Sequence, residues 1–226
     1  MDLPVFVPLV DPRPGADVFP TAVLWPVPVG RSLLGGYVEL RISEPAADAE
    51  KLFAALDSAA VWAHVAGRPV DAAGMSDLIA ARVADPAWCP WTVRLRKPLA
   101  GLLAGTVVGT SSYLDVDAGA ARGEIGSTSY DPRVWASAVN PECKLLLLRY
   151  AFEELGWGRV QLKTDIRNHR SQQAIARLGA RYEGTLRRYQ RRADGSIRDT
   201  VLFSLTAEDW PDARTRLEQR LATYRP

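Results

Sequence analysis

The segment DPRVWASAVNPECKLLLLRYAFEELG, residues 131–156, sets Arg133 and a run of small residues, Ala136, Ser137 and Ala138, just ahead of Val139, Asn140 and Pro141. Asn140-Pro141 has the chemistry of a helix start: a side-chain acceptor, then a residue whose missing N–H costs nothing in the first turn. The first amides of a helix lack partners inside it, and the aligned peptide dipoles add partial positive charge at the same end. Small side chains let an anion come close to those amides, and an arginine adds a bidentate, charge-assisted grip. The chemistry that suits this arrangement is phosphate binding, with Lys144 about one turn further in. Plain packing is the competing reading, because small residues also let a chain turn close to a sheet. Leu145 to Leu148 read as core, and Cys143 as a small buried thiol.

Those residues need elements to hold them. "YVELRIS" from Tyr37 alternates as a half-buried strand does, and Ala49, Leu52, Phe53 and Leu56 have helical spacing. A second helix is expected at about 73–84, then strands at 91–96, 105–117 and 123–130 in an antiparallel meander. Gly156 is the expected stop of the quoted helix. A strand at 159–166 leads to Asn168, which caps a helix ending at Gly179. "ADGS" is a hairpin turn between two further strands, and a helix from about Pro211 turns Leu217 and Leu221 inward. Residues 1–36 are rich in proline and are expected to form an extension with little regular structure, packed through Phe6, Phe19, Leu24 and Trp25.

Composition removes several classes. With 226 residues, 47% of them hydrophobic, the chain can bury a sizeable core. No apolar run approaches the roughly 18–20 residues that span a bilayer, and the N-terminus lacks the signature of a signal peptide, so a cytoplasmic protein is expected. Two cysteines, Cys89 and Cys143, and two histidines, His64 and His169, support neither a disulfide framework nor a metal site. The net charge of +2 does not by itself imply nucleic acid, although Arg187, Arg188, Arg191, Arg192 and Arg198 make a local basic cluster.

In their order, these residues resemble the GNAT acyltransferase superfamily from about Tyr37 to Trp210, and within it the branch of ribosomal-protein alanine N-acetyltransferases (RimJ/RimL-like). That superfamily's pyrophosphate loop reads Gln/Arg-x-x-Gly-x-Gly/Ala, and Arg133 to Ala138 fit it except that Ala136 replaces the first glycine. "GEIG", "VNPECKLLLLRYAFEELG", "RVQLKTDIRNHRSQQAIARLGARYEGTLR" and "RDTVLFSLTAEDW" continue the branch pattern. The resemblance implies an α+β fold over residues 37–226: a mixed, mostly antiparallel sheet, splayed between strands 123–130 and 159–166, with helices on both faces. It implies acetyl-CoA as co-substrate and no metal. The pantetheine would lie along Ser127, Thr128, Ser129 and Tyr130, and the pyrophosphate on Arg133, Ala136, Ser137, Ala138, Val139 and Asn140 with Lys144 near by. Asn168 would touch the cofactor arm.

Acetyl transfer to an amine needs a neutral nucleophile, stabilisation of charge on the thioester oxygen, and a proton for the departing thiolate. By the resemblance, Glu124 takes the amine proton, an amide near Thr128 polarises the carbonyl, and Ser171 protonates the thiolate. On the residues alone, Glu124 could instead pair with Arg122 or Arg96, and Ser171 could be an ordinary first-turn serine. The acceptor is an amine on a protein or a small molecule; membrane and nucleic acid are not expected as partners, and a homodimer is allowed. An acyl-CoA sensor with weak turnover and a nucleic-acid module are the other classes. At Ala136 a positive φ would cost alanine about 1 kcal/mol, so the loop is expected to be helical there, beginning one turn before Asn140.

Overall fold

The computed structural model describes residues 7–11 and 23–224. One sheet carries eight strands in the order β1-β2-β3-β4-β5-β6-β8-β7. They are β1 Ser32–Leu34, β2 Val38–Ile42, β3 Cys89–Leu95, β4 Val107–Asp117, β5 Arg122–Tyr130, β6 Arg159–Asp165, β7 Arg181–Arg191 and β8 Ile197–Thr206. Neighbours are antiparallel except β5 and β6, which run parallel. The helices are α1 Pro45–Leu56, α2 Ala59–Trp62, α3 Ala72–Ala84, α4 Val139–Arg149, α5 His169–Ala176 and α6 Trp210–Ala222.

Helices cover both faces because the strands between them are apolar on both sides. Leu52, Leu56, Met75 and Ile79 from α1 and α3 pack with Val107 of β4. The larger core lies on the other face, where Leu147 and Leu148 of α4 and Leu217 of α6 join Trp91, Tyr113 and Trp157. Gly123 is needed there, since a Cβ would stand 2.5 Å from the Trp157 ring. Of the apolar residues near the N-terminus, Phe6 and Phe19 lie outside the described residues, Leu24 is exposed, and the Trp25 ring packs 5.9 Å from Trp157.

Three details depart from expectation. The sheet begins inside the proline-rich segment, at β1, and the single turn of α2 has no sequence signal of its own. Helix α4 starts at Val139 after Ala138, so Asn140 is not the cap. The Ser137 hydroxyl takes the first amide instead, accepting from Val139 N at 3.2 Å while donating to the Val134 carbonyl at 2.6 Å. Pro141 still falls in the first turn, where its missing N–H is harmless.

The start of α4 is pinned to the sheet by one buried carboxylate. Glu142 Oε2 accepts from Tyr37 N at 2.6 Å and Val38 N at 2.7 Å, and Oε1 from Gly36 N at 2.7 Å. Gly35 makes room for it, because a Cβ there would lie 2.4 Å from the carboxyl group. At its far end α4 widens into a π-turn over Tyr150–Glu154 and stops at Gly156, whose φ of 73° suits glycine.

Candidate active site

Strands β5 and β6 pair only over Arg122–Glu124 against Arg159–Gln161. Both continue past that pairing, to Tyr130 and Asp165, so the sheet opens into a wedge with Glu124 at its vertex. Along the β5 side, Ser112 pairs with Gly126 and Thr110 with Ser129, so Ser127 and Thr128 oppose Ser111 alone. This is a β-bulge, and Ser127 takes the positive φ of 47° that the extra residue demands. Asp131 N donates to the Val108 carbonyl at 2.8 Å. Strand alternation then turns the amides of Tyr130 and Thr128 away from β4, into the wedge. Ser127 to Tyr130 thus border the gap.

After β5 the chain makes a 3₁₀ turn at Pro132–Val134, and Trp135 is extended. Ala136 then adopts a φ of +58°. The expectation of a right-handed helix at Ala136 is therefore wrong: Ser137, not Ala136, prepares the helix, and the loop reverses direction where a glycine is usual. The reversal exposes amides. Among the described residues, Ala136, Ser137, Ala138 and Asn140 donate no backbone hydrogen bond to another backbone group. With the α4 dipole behind them they form a nest for an anion. Because alanine is strained there, Ala136→Gly should raise the unfolding free energy by about 1 kcal/mol; a urea titration that shows no gain would refute the strain.

Two cations assigned to this loop are placed differently from each other. Arg133 is exposed beside the loop, gripped by Asp131, with Nη2 2.6 Å from Oδ2 and Nε 3.0 Å from Oδ1. Burial pushes the Asp131 carboxyl up, but the Arg133 hydrogen bonds outweigh it and hold the group below the usual carboxylate range. Lys144 is not at the loop. It shares a helix face with Leu147 and Leu148, so its stem points to the sheet, and its ammonium reaches Thr128 Oγ1 at 2.6 Å and Ser111 Oγ at 3.1 Å.

Glu124 is buried at the vertex, and neither Arg122 nor Arg96 is its partner. Arg122 pairs with Asp117 and Arg96 with the Gly35 carbonyl. Lys163 of β6 lies 2.8 Å from Glu124 Oε2 and also meets Asp115 Oδ2 at 2.9 Å and the Tyr189 hydroxyl at 3.1 Å. Burial pushes the Glu124 carboxyl up, and the Lys163 charge restrains the rise without cancelling it. Gly126 leaves the carboxylate its space, since a Cβ there would stand 2.7 Å from Oε1. Lys163, Asp115 and Tyr189 carried no signal in the sequence, because they come from three strands distant in the chain.

Across the wedge, Asn168 caps α5 as expected, its Oδ1 accepting from Ser171 N at 3.0 Å. Asp165 shapes the approach: it holds Arg192 at 2.6 and 2.8 Å and the Arg167 amide at 2.9 Å. The Arg192 hydrogen bonds lower the Asp165 pKa to about 2. Ser171 follows in the first turn, half-buried, and its hydroxyl makes no hydrogen bond among the described residues. A cleft of about 380 Å³ runs from His64 to the start of α5, where the Arg170 guanidinium stacks 3.8 Å from the Trp135 ring centroid. Of the arginine cluster, Arg192 and half-buried Arg198 turn inward, which leaves Arg187, Arg188 and Arg191 on the surface. Cys89 and Cys143 are both buried, and burial pushes their thiols up, that of Cys89 to about 12.

Comparison with known proteins agrees with this geometry. The sequence model of the acetyltransferase (GNAT) domain matches residues 38–181. An acetyltransferase-assigned protein of T. thermophilus is 33% identical, with a TM-score of 0.75 over 88% of this chain and 100% of that one. A GCN5-related N-acetyltransferase from Brucella melitensis superposes with a TM-score of 0.79 at 24% identity over 90% of each chain. Mycobacterium smegmatis RimJ in complex with CoA-disulfide gives 0.66 at 22% identity over 81% of this chain and 88% of that one. No curated protein matches the chain. The domain match, spanning the splayed strands, the bulge and the loop, makes this chain a member of the GNAT acetyltransferase family, and an acyltransferase.

Proposed function

We propose that the protein transfers an acetyl group from acetyl-CoA to a primary amine by direct attack in a ternary complex, in the manner of the RimJ/RimL-like branch. The observation that carries this reading is the alignment of three features along one wedge: open amides at Ala136, Ser137, Ala138 and Asn140, the bulge at Ser127–Thr128, and buried Glu124 at the vertex. The amides and Arg133 suit a pyrophosphate. The wedge-facing amides of Thr128 and Tyr130 suit the amide groups and thioester carbonyl of a pantetheine arm. The RimJ neighbour, which holds a CoA derivative, supports the choice of ligand.

In this reading Glu124 accepts the amine proton, directly or through water, as the nitrogen attacks the carbonyl carbon. Burial has raised its pKa towards the range in which a carboxylate is a useful base. The Thr128 amide stabilises charge developing on oxygen, and the hydroxyl of Ser171 supplies the proton for the departing thiolate. Asn168 orients that helix start. The acceptor is an amine on a protein N-terminus, a lysine or a small molecule, and the setting is the cytoplasm. Among the described residues no helix is long and apolar enough to cross a membrane.

The test has two arms. Acetyl-CoA should raise the melting temperature by mass action, equivalent to about 2.7 kcal/mol at a hundred times the dissociation constant. A melting temperature fixed at millimolar acetyl-CoA, with no heat in calorimetry, would remove the reading. Thiol release across a panel of amines then identifies the acceptor; binding without release from any amine would favour the sensor.

A further inference from the structure

Lys144 is 5% exposed, yet among the described residues it makes no ion pair. Among the described residues its ammonium gives hydrogen bonds only to the hydroxyls of Thr128 and Ser111, which lie 2.8 Å from each other. A buried ammonium facing hydroxyls alone is costly, and an unbranched apolar side chain in its place would fill the same space without that cost. Burial also lowers its pKa to about 8. Strain and buried charge coincide at the bulge, where Ser127 stands at a φ of 47° and Thr128 Oγ1 lies 3.4 Å from the Gly126 carbonyl. The Thr128 hydroxyl therefore connects the ammonium to the backbone that turns the Thr128 amide into the wedge.

We propose that Lys144 is a positioning residue for acyl transfer, holding the bulge through the Thr128 hydroxyl and placing positive charge behind the amide that polarises the thioester carbonyl. This rests on the reading of the wedge as the acetyl-CoA site. When the amine nitrogen bonds to the carbonyl carbon, the carbonyl electron pair moves onto oxygen. As it returns, the C–S bond breaks and its pair leaves on sulfur. The amine proton goes to Glu124, and the thiolate takes a proton through Ser171, which solvent restores. The ammonium keeps its protons throughout and acts by its field alone, which is strong because the site is buried.

The decisive measurement is the infrared band of acetyl-CoA isotopically labelled at the thioester carbonyl, bound to the wild type and to Lys144→Met. Binding to the wild type should move the band to lower frequency, and Lys144→Met should lose most of that shift while keeping acetyl-CoA affinity. With an amine acceptor, kcat should fall roughly tenfold to a hundredfold at constant KM, somewhat less than the loss of a direct oxyanion donor. Thr128→Val, which removes the connecting hydroxyl, should show the same band change and decides the matter if Lys144→Met does not fold. A merely structural lysine would alter the melting temperature and leave the band in place, and an unmoved band in both variants overturns the inference. Failure of the wild type to bind acetyl-CoA overturns instead the proposed function on which it rests.

Discussion

Replacing Glu142 with alanine should lower the unfolding free energy by about 3–5 kcal/mol, among the larger effects a single substitution produces. The carboxylate serves three backbone N–H groups, those of Gly36, Tyr37 and Val38, and Val38 is fully buried. Truncation strands all three, and each buried donor without a partner costs about 1–3 kcal/mol, with water relieving part of the sum. Glu142→Gln should lose less, because its carbonyl oxygen can still receive Tyr37 and Val38, while its NH₂ would oppose the Gly36 donor. In urea the midpoint should drop at constant slope, and by heat the melting temperature should fall by roughly 6–20 °C for a domain of this size. A loss below about 1 kcal/mol for alanine would mean that water replaces the carboxylate at little cost.

Glu124→Gln should lower kcat by roughly a hundredfold to ten-thousandfold, the range of a lost general base, with acetyl-CoA affinity unchanged. Glutamine keeps the shape of the vertex but cannot take a proton. The pH dependence supplies the second signature. Burial raises the Glu124 pKa above its ordinary value, so the basic form, and with it the rate, is lost as pH falls through that raised pKa. The acidic limb of the wild-type profile should vanish in the variant. Because removing the carboxylate leaves Lys163 with Asp115 and Tyr189, the fold should survive, and circular dichroism checks it. An unchanged acidic limb would exclude Glu124 as the base.

What the sequence made legible was periodic or carried by turn chemistry. The alternation of β2, the turn-bounded strands β3 to β5, the Asp194-Gly195 turn between β7 and β8, and the Asn168 cap all have local causes, and all stand in the structure. Four features were not legible, for physical reasons. Strand β1 is three residues long beside prolines, so it exists because β2 pairs with it rather than through its own propensity. The positive φ of Ala136 is imposed by the path from β5 into α4, and alanine's local preference pointed the other way. Lys144 lies close in sequence to the loop, but its spacing to Leu147 and Leu148 puts it on the core face. The partner of Glu124 is neither of the arginines that the sheet surface offers but Lys163, which reaches it across a parallel pair that no local pattern announces.

The short β5–β6 pairing has a mechanical consequence. The sheet is two plates, β1 to β5 and β6 to β8, joined along the ladder by three residue pairs at Arg122–Glu124. Any widening of the wedge rotates one plate against the other about that joint. Points far from it, such as Trp135 and Arg170 at the mouth, swing through the widest arc, and points on it scarcely move. Glu124 stands on the fulcrum, so the mouth can yield to a bulky ligand while the carboxylate and its Lys163 partner keep their distance.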